Sequence, residues 1–202
     1  MQEIIRLIFF LFLLPLITAG TSSQSITKGI SNAPMGLPQD IAYAKRLWSA
    51  LESERLVGTN AKKVKPIVGA ARPHGWILEL LYRNITVGNH TGFAVVKKNY
   101  DGPGVSVASV EANSAKYLSS ITVMFQRQKG YDEENKNWFW VKYKPDGSLY
   151  KKKMNNIEVA MAGRIVKGRT RDENGGCIYC HSSAGGGDYI FYPEIVISPV
   201  ND

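Results

Sequence analysis

Five short runs rich in β-branched and aromatic residues occupy the middle of this chain and restrict its fold more than any other feature: residues 76–82, 93–98, 105–110, 118–126 and 138–143. Turn signals such as Asp101-Gly102-Pro103-Gly104 and Pro145-Asp146-Gly147 punctuate them. Strand-like runs joined by tight turns pair antiparallel, because a parallel pair needs a long crossover between its strands. The stretch just before them carries a different period. Across residues 41–56, Ala44, Leu47, Trp48 and Leu51 recur at three- and four-residue intervals behind Asp40, a residue type suited to capping. This predicts one amphipathic helix with Trp48 in the core. Residues 155–162 fit either period, and residues 189–196 suit a closing strand. The expected class is α+β, a mainly antiparallel sheet with one or two helices.

The N-terminus has the three parts of an export signal. A short polar head carries Arg6, an apolar run from Leu7 to Ile17 is broken only by Pro15, and Thr18-Ala19-Gly20 supplies small residues for cleavage. Such a run is short for a bilayer span. Residues 1–20 are therefore expected to be a signal peptide, and residues 21–39, rich in Ser, Thr, Gly and Pro, a flexible lead-in. Residues 40–202 form the folded domain. Export places that domain in the periplasm or an equivalent compartment. The formal net charge is +8, and removal of Glu3 with Arg6 leaves it unchanged. A basic surface suits an acidic, soluble redox partner. A solvated basic face accounts for Lys151-Lys152-Lys153, and no binding motif points to nucleic acid.

Both cysteines of the chain fall in Cys177-Ile178-Tyr179-Cys180-His181, the C-x-x-C-H pattern of covalent haem attachment. Two thiols three positions apart can add to the two vinyl groups of one haem, and the adjacent His then lies under the ring as an iron ligand. The motif is expected in a Gly-rich loop near the C-terminus. Competing readings fit less well. A thioredoxin-type pair opens a helix in a βαβ setting. A structural zinc site needs two more ligands, and only His74 and His90 remain as nitrogen donors. The reading is one haem c, held by Cys177 and Cys180, with His181 on the iron. The 21 residues after His181 contain neither Met nor His. A sixth iron ligand must then come from upstream, and the position opposite His181 is expected to be open to a small molecule.

Around this motif, Pro73-His74-Gly75, Val96-Lys97-Lys98-Asn99-Tyr100, Val123-Met124-Phe125, Lys129-Gly130-Tyr131, Trp138-Phe139-Trp140, Asp146-Gly147 and Asp188-Tyr189-Ile190-Phe191 follow in order. Together they resemble the cytochrome P-460 family across residues 40–192, and cytochrome c′-β proteins belong to the same superfamily. The resemblance implies a largely antiparallel β fold, a homodimer, and a five-coordinate haem whose open face meets nitric oxide or hydroxylamine. In cytochrome P-460 proper a lysine is also joined to the haem edge and the protein oxidises hydroxylamine; that lysine matches Lys97. Two functions stay open on this footing, a hydroxylamine-oxidising haem oxidoreductase and a non-catalytic nitric oxide binding protein. A third is plain electron transfer, with Met124, Met154 or Met161 closing the sixth position.

Individual residues divide between these readings. On a strand Lys97 shares a face with Phe93 and Val95, whereas Lys98 shares the other with Ala94 and Val96. From the residues alone Lys97 reads as a surface lysine at a sheet edge, while the resemblance places it beside the haem. His74 reads as a hydrogen-bonded structural residue and His90 as a loop residue. Met124 and Phe125 fall on opposite faces of one strand, and Trp138 and Trp140 share a face that reads as core. Oxidation of hydroxylamine also needs a base. Glu79, Glu111, Glu158, Asp172 and Glu173 are available, and no motif selects among them.

Overall fold

A computed structural model describes residues 35–69, 74–154, 156–165 and 176–191. The expected signal, the lead-in up to residue 34, Pro73, Asp172, Glu173 and residues 192–196 of the expected closing strand lie outside them. All described residues belong to one compact unit, residues 33–202.

The expected helix forms as α1 (Pro38–Ser53). It starts two residues before Asp40, with Pro38 in the first turn, where its missing N–H leaves no intrahelical bond unmade. Asp40 therefore sits inside the helix rather than at its cap, and its carboxylate accepts the Leu37 N–H at 3.3 Å. The helix closes in a Schellman motif. Leu56 N–H reaches the Leu51 carbonyl and Arg55 N–H the Glu52 carbonyl, both at 2.9 Å, with Arg55 in the left-handed region at φ 57°. Tyr43, Ala44, Leu47 and Leu51 form the buried stripe. Trp48, expected in the core, is only half-buried and packs on Tyr143 with ring centres 4.9 Å apart.

The sheet runs in the order β1 (Ile67–Val68), β2 (Ile77–Val87), β3 (His90–Tyr100), β4 (Leu118–Gln126), β5 (Trp138–Tyr143) and β8 (Ala162–Gly163). Every neighbouring pair is antiparallel. The ambiguous residues after 155 resolve as strand, because β6 (Lys151–Met154) and β7 (Ile157–Ala160) pair as a separate hairpin. β2 and β3 meet through the two-residue turn Gly88-Asn89, where Gly88 takes φ 66°, the sign such turns require.

One expected strand is a helix. Residues 107–112 form α2 (Val107–Ala112), followed by α3 (Ser114–Tyr117). Ser109 N–H bonds Ser106 Oγ at 3.1 Å while Ser106 N–H bonds Ser109 Oγ at 2.8 Å. This reciprocal cap satisfies first-turn donors locally. Only Val110 of α2 is buried, so the β-branched residues here have no sheet face to fill and propensity yields to the cap. With α4 (Cys177–His181) the described residues hold four α-helices, more than the one or two expected, and only α1 is long.

Register sorts the side chains of the sheet. Leu81, Val96, Val123 and Val141 form one row and Ala94, Phe125 and Phe139 another, all on the face that meets α1. On the opposite face Leu80, Lys97, Thr122 and Lys142 align, with Tyr82, Val95, Met124 and Trp140 in the next row. The first face carries the main core. The second carries the C-x-x-C-H motif.

Candidate functional site

The motif, expected in a loop, folds into the single helical turn α4 directly after Gly176. Ile178 is buried and its N–H reaches the Ile165 carbonyl at 3.2 Å, which docks the turn onto the second face of the sheet beside Val95, Met124, Trp138 and Trp140. Cys177 and Cys180 are both free thiols. Helical spacing of three residues puts them on one side of α4. Burial pushes the Cys177 thiol up to about 11, the reverse of the lowered value that a redox-active thiolate needs.

His181 ends α4 and is almost fully buried. Its Nδ1 lies 2.7 Å from the Tyr189 carbonyl oxygen. A carbonyl only accepts, so Nδ1 carries the proton and Nε2 keeps its lone pair free. The accepting carbonyl is held in an unusual conformation, since Tyr189 takes φ 68° without being glycine. Its neighbours fix it there. Trp138 Nε1 donates to the Asp188 carbonyl at 2.9 Å, Ile190 N–H bonds Asp188 Oδ1 at 3.0 Å, and the Tyr189 hydroxyl reaches the Glu134 carbonyl at 3.3 Å. Trp140 and Phe191 flank the imidazole with ring centres 4.9 Å and 5.3 Å away. The fragment from Asp188 to Phe191 thus surrounds His181, and Trp140, read from the sequence as core, is also a wall of this site.

Lys97 comes to the same place from β3. It is 9% exposed, and among the described residues its ammonium has no hydrogen-bond partner. Burial pushes it down from 10.5 to about 8, opposed only by the Cys177 thiol nearby. Lys97 is thus buried on a central strand and not a surface lysine at a sheet edge. Lys98, one residue on, faces α1 and pairs with Glu79 at 3.0 Å.

His74, read as structural, is both structural and part of the site. Its Nδ1 is 3.1 Å from Asn99 Oδ1 and 3.4 Å from Thr122 Oγ1, and its ring centre is 6.2 Å from that of His181. Asn99 is fully buried; its amide nitrogen donates to the Lys97 and Ser120 carbonyls at 3.2 Å and 3.1 Å, so Oδ1 points at His74. Burial above all, with Lys97 and His181 adding to it, lowers His74 to about 3; burial first and then Lys97 lower His181 to about 4. Both imidazoles are neutral at neutral pH. Gly75 explains the approach of His74 to the sheet, because a side chain there would overlap the Tyr100 backbone. Asn99 was detectable in principle, since it lies two residues beyond Lys97 on one strand face.

The candidate bases separate by face and exposure. Glu79 is on the α1 face with Lys98, Glu111 is exposed on α2, and Glu158 is exposed and pairs with Lys151 at 3.3 Å. None of the three faces Lys97. Met124 is buried on the site face, with Met154 and Met161 packed against the same cluster. A cleft of about 360 Å³, lined by Phe93, Gln126, Trp138, Asp188 and Ile190 among others, opens at one end of this face. His90 lies elsewhere, bonded to the Gln126 carbonyl at 3.0 Å. Among the described residues no three His, Cys, Asp or Glu side chains converge as a metal-ion site. Comparison with family models, with curated proteins and with solved structures finds no match to this chain.

Proposed function

We propose that the chain is an exported mono-haem c-type cytochrome of the cytochrome P-460 kind that binds a small nitrogen oxide, nitric oxide first among them. The supporting observation is the pairing of two free thiols three residues apart with a buried, neutral His181 whose Nδ1 is tied to a carbonyl and whose Nε2 is free. A ligating imidazole is held in this way by a hydrogen bond from its other nitrogen. The donor set therefore fits a haem c. Trp140 Nε1 is buried without a partner and the Lys97 ammonium is unpartnered, so the walls retain polar capacity for a further group. When bound, haem supplies an iron that accepts a small ligand and exchanges electrons.

The chain's own residues then have distinct tasks. Cys177 and Cys180 fix the group covalently, the Tyr189 carbonyl sets the His181 tautomer, and Trp140 and Phe191 hold its ring. Val95, Met124 and Trp140 exclude water from the sheet side. Lys97 presents a partly neutral amine, about a tenth of the population at pH 7 for a value near 8. This is the form that could bond to a haem edge. Glu79, Glu111 and Glu158 stand away from the site, so none of these three would take protons from hydroxylamine there. Met124 on the site face supports electron transfer as a second reading.

The test uses purified protein made with a haem-attachment system. Haem should survive denaturation bound to the wild-type chain and be lost from Cys177→Ala/Cys180→Ala. Nitric oxide should change the ferrous absorption spectrum saturably. Retained covalent haem in the double variant, or a ferrous protein indifferent to nitric oxide, defeats the proposal.

A further inference from the structure

We infer that His74 is a second axial ligand of the haem iron, facing His181 and displaced when an external ligand binds. The inference rests on the haem reading above and goes beyond it, because the position opposite His181 becomes closed at rest instead of open.

Geometry carries the argument. A metal–imidazole bond of about 2 Å on each side, plus about 1 Å from each nitrogen to its ring centre, spans about 6 Å between ring centres. The His74 and His181 centres are 6.2 Å apart. Both rings are held by the same nitrogen. Nδ1 of His181 bonds the Tyr189 carbonyl and Nδ1 of His74 bonds Asn99 Oδ1, so each ring keeps Nε2 for a ligand. Among the described residues neither Nε2 has a hydrogen-bond partner. Asn99 is itself locked by two strand carbonyls and cannot turn away. This is the support expected behind a metal-binding imidazole.

Displacement is simple in these terms. The His74 lone pair leaves, its Nδ1 stays anchored to Asn99, and no proton or electron moves. A ligand with a strong bond to iron can compete; a weak one cannot. His74 thereby supplies discrimination among small molecules that an open site lacks. It also meets the constraint noted in the sequence, that any sixth ligand must lie upstream of His181.

The two ring planes are 82° apart. Crossed imidazole planes leave two iron d orbitals nearly equal in energy, which gives a low-spin ferric centre a strongly anisotropic paramagnetic resonance signal. The experiment is absorption and paramagnetic resonance of the ferric holoprotein in wild type, His74→Ala and Met124→Leu. Wild type should be low-spin with that anisotropic signal, and Met124→Leu should match it. His74→Ala should be high-spin, return to low-spin with added imidazole, and bind nitric oxide at least tenfold faster. A high-spin wild type overturns the inference whether or not any variant folds. So does a low-spin His74→Ala, or loss of the low-spin state in Met124→Leu alone. In each of these cases covalent haem is still present and the underlying reading stands. A chain that takes up no covalent haem defeats both.

Discussion

Lys97 and Lys98 should respond in opposite directions to the same substitution. Lys98 Nζ bonds Glu79 Oε2 at 3.0 Å and the Lys62 carbonyl at 3.2 Å, with the two paired side chains 8% and 5% exposed. Lys98→Met keeps the aliphatic stem but leaves the Glu79 carboxylate buried without its cation. Breaking a buried pair this way costs about 3–5 kcal/mol, a large part of the roughly 5–15 kcal/mol that holds a domain together. Removing both charges in Glu79→Leu/Lys98→Met should recover most of the loss, since desolvation is then relieved on both sides. Lys97 has no such partner, and burial alone presses it from 10.5 to about 8. Lys97→Met in the haem-free chain should therefore stabilise the fold, by at most roughly 3 kcal/mol at pH 7. The haem-free chain is a fair host, because the α1 core lies on the opposite face of the sheet. Urea unfolding followed by circular dichroism measures both changes. If Lys98→Met is within about 1 kcal/mol of wild type, or Lys97→Met is the more damaging of the two, the assignment of faces on β3 is wrong.

The Lys97 effect also has a pH signature. Its folded value lies below its unfolded one, so the native state is penalised wherever the group is charged in both, below about pH 8. The advantage of Lys97→Met over wild type should shrink as pH rises from 8 and vanish near 10.5; an advantage that is equal at pH 7 and pH 10 contradicts it. Gly75→Ala forces a Cβ onto the Tyr100 backbone and should cost about 1–3 kcal/mol, measured by the same unfolding curves. In the haem-free chain Cys180 is exposed while burial holds Cys177 near 11. Iodoacetamide at pH 8 should then label Cys180 well before Cys177, as peptide mass spectrometry would show; equal rates would mean that α4 does not dock as described.

Local chemistry written into the chain was enough to place α1, four of the five strand runs, the alternation that sends Lys97 and Lys98 to opposite faces, and the C-x-x-C-H motif. Each depends on periods and spacings of a few residues, which a linear reading contains. The turn at α2 escaped because a reciprocal serine cap outweighed β-branched propensity once no sheet was there to accept it. The surroundings of His181 escaped for a different reason. Tyr189 contributes a carbonyl that its residue type does not advertise, Trp140 changes from core to site wall only when α4 docks on β5, and His74 meets His181 across a separation of 107 positions, from 74 to 181. Only β3 and β4, carrying Asn99, Lys97 and Thr122 in register, bring those groups to one face. The C-x-x-C-H spacing was thus legible from the residues, while the groups that meet His181 are brought there by strand pairing and by the docking of α4, because a contact between distant residues has no signature in either one alone.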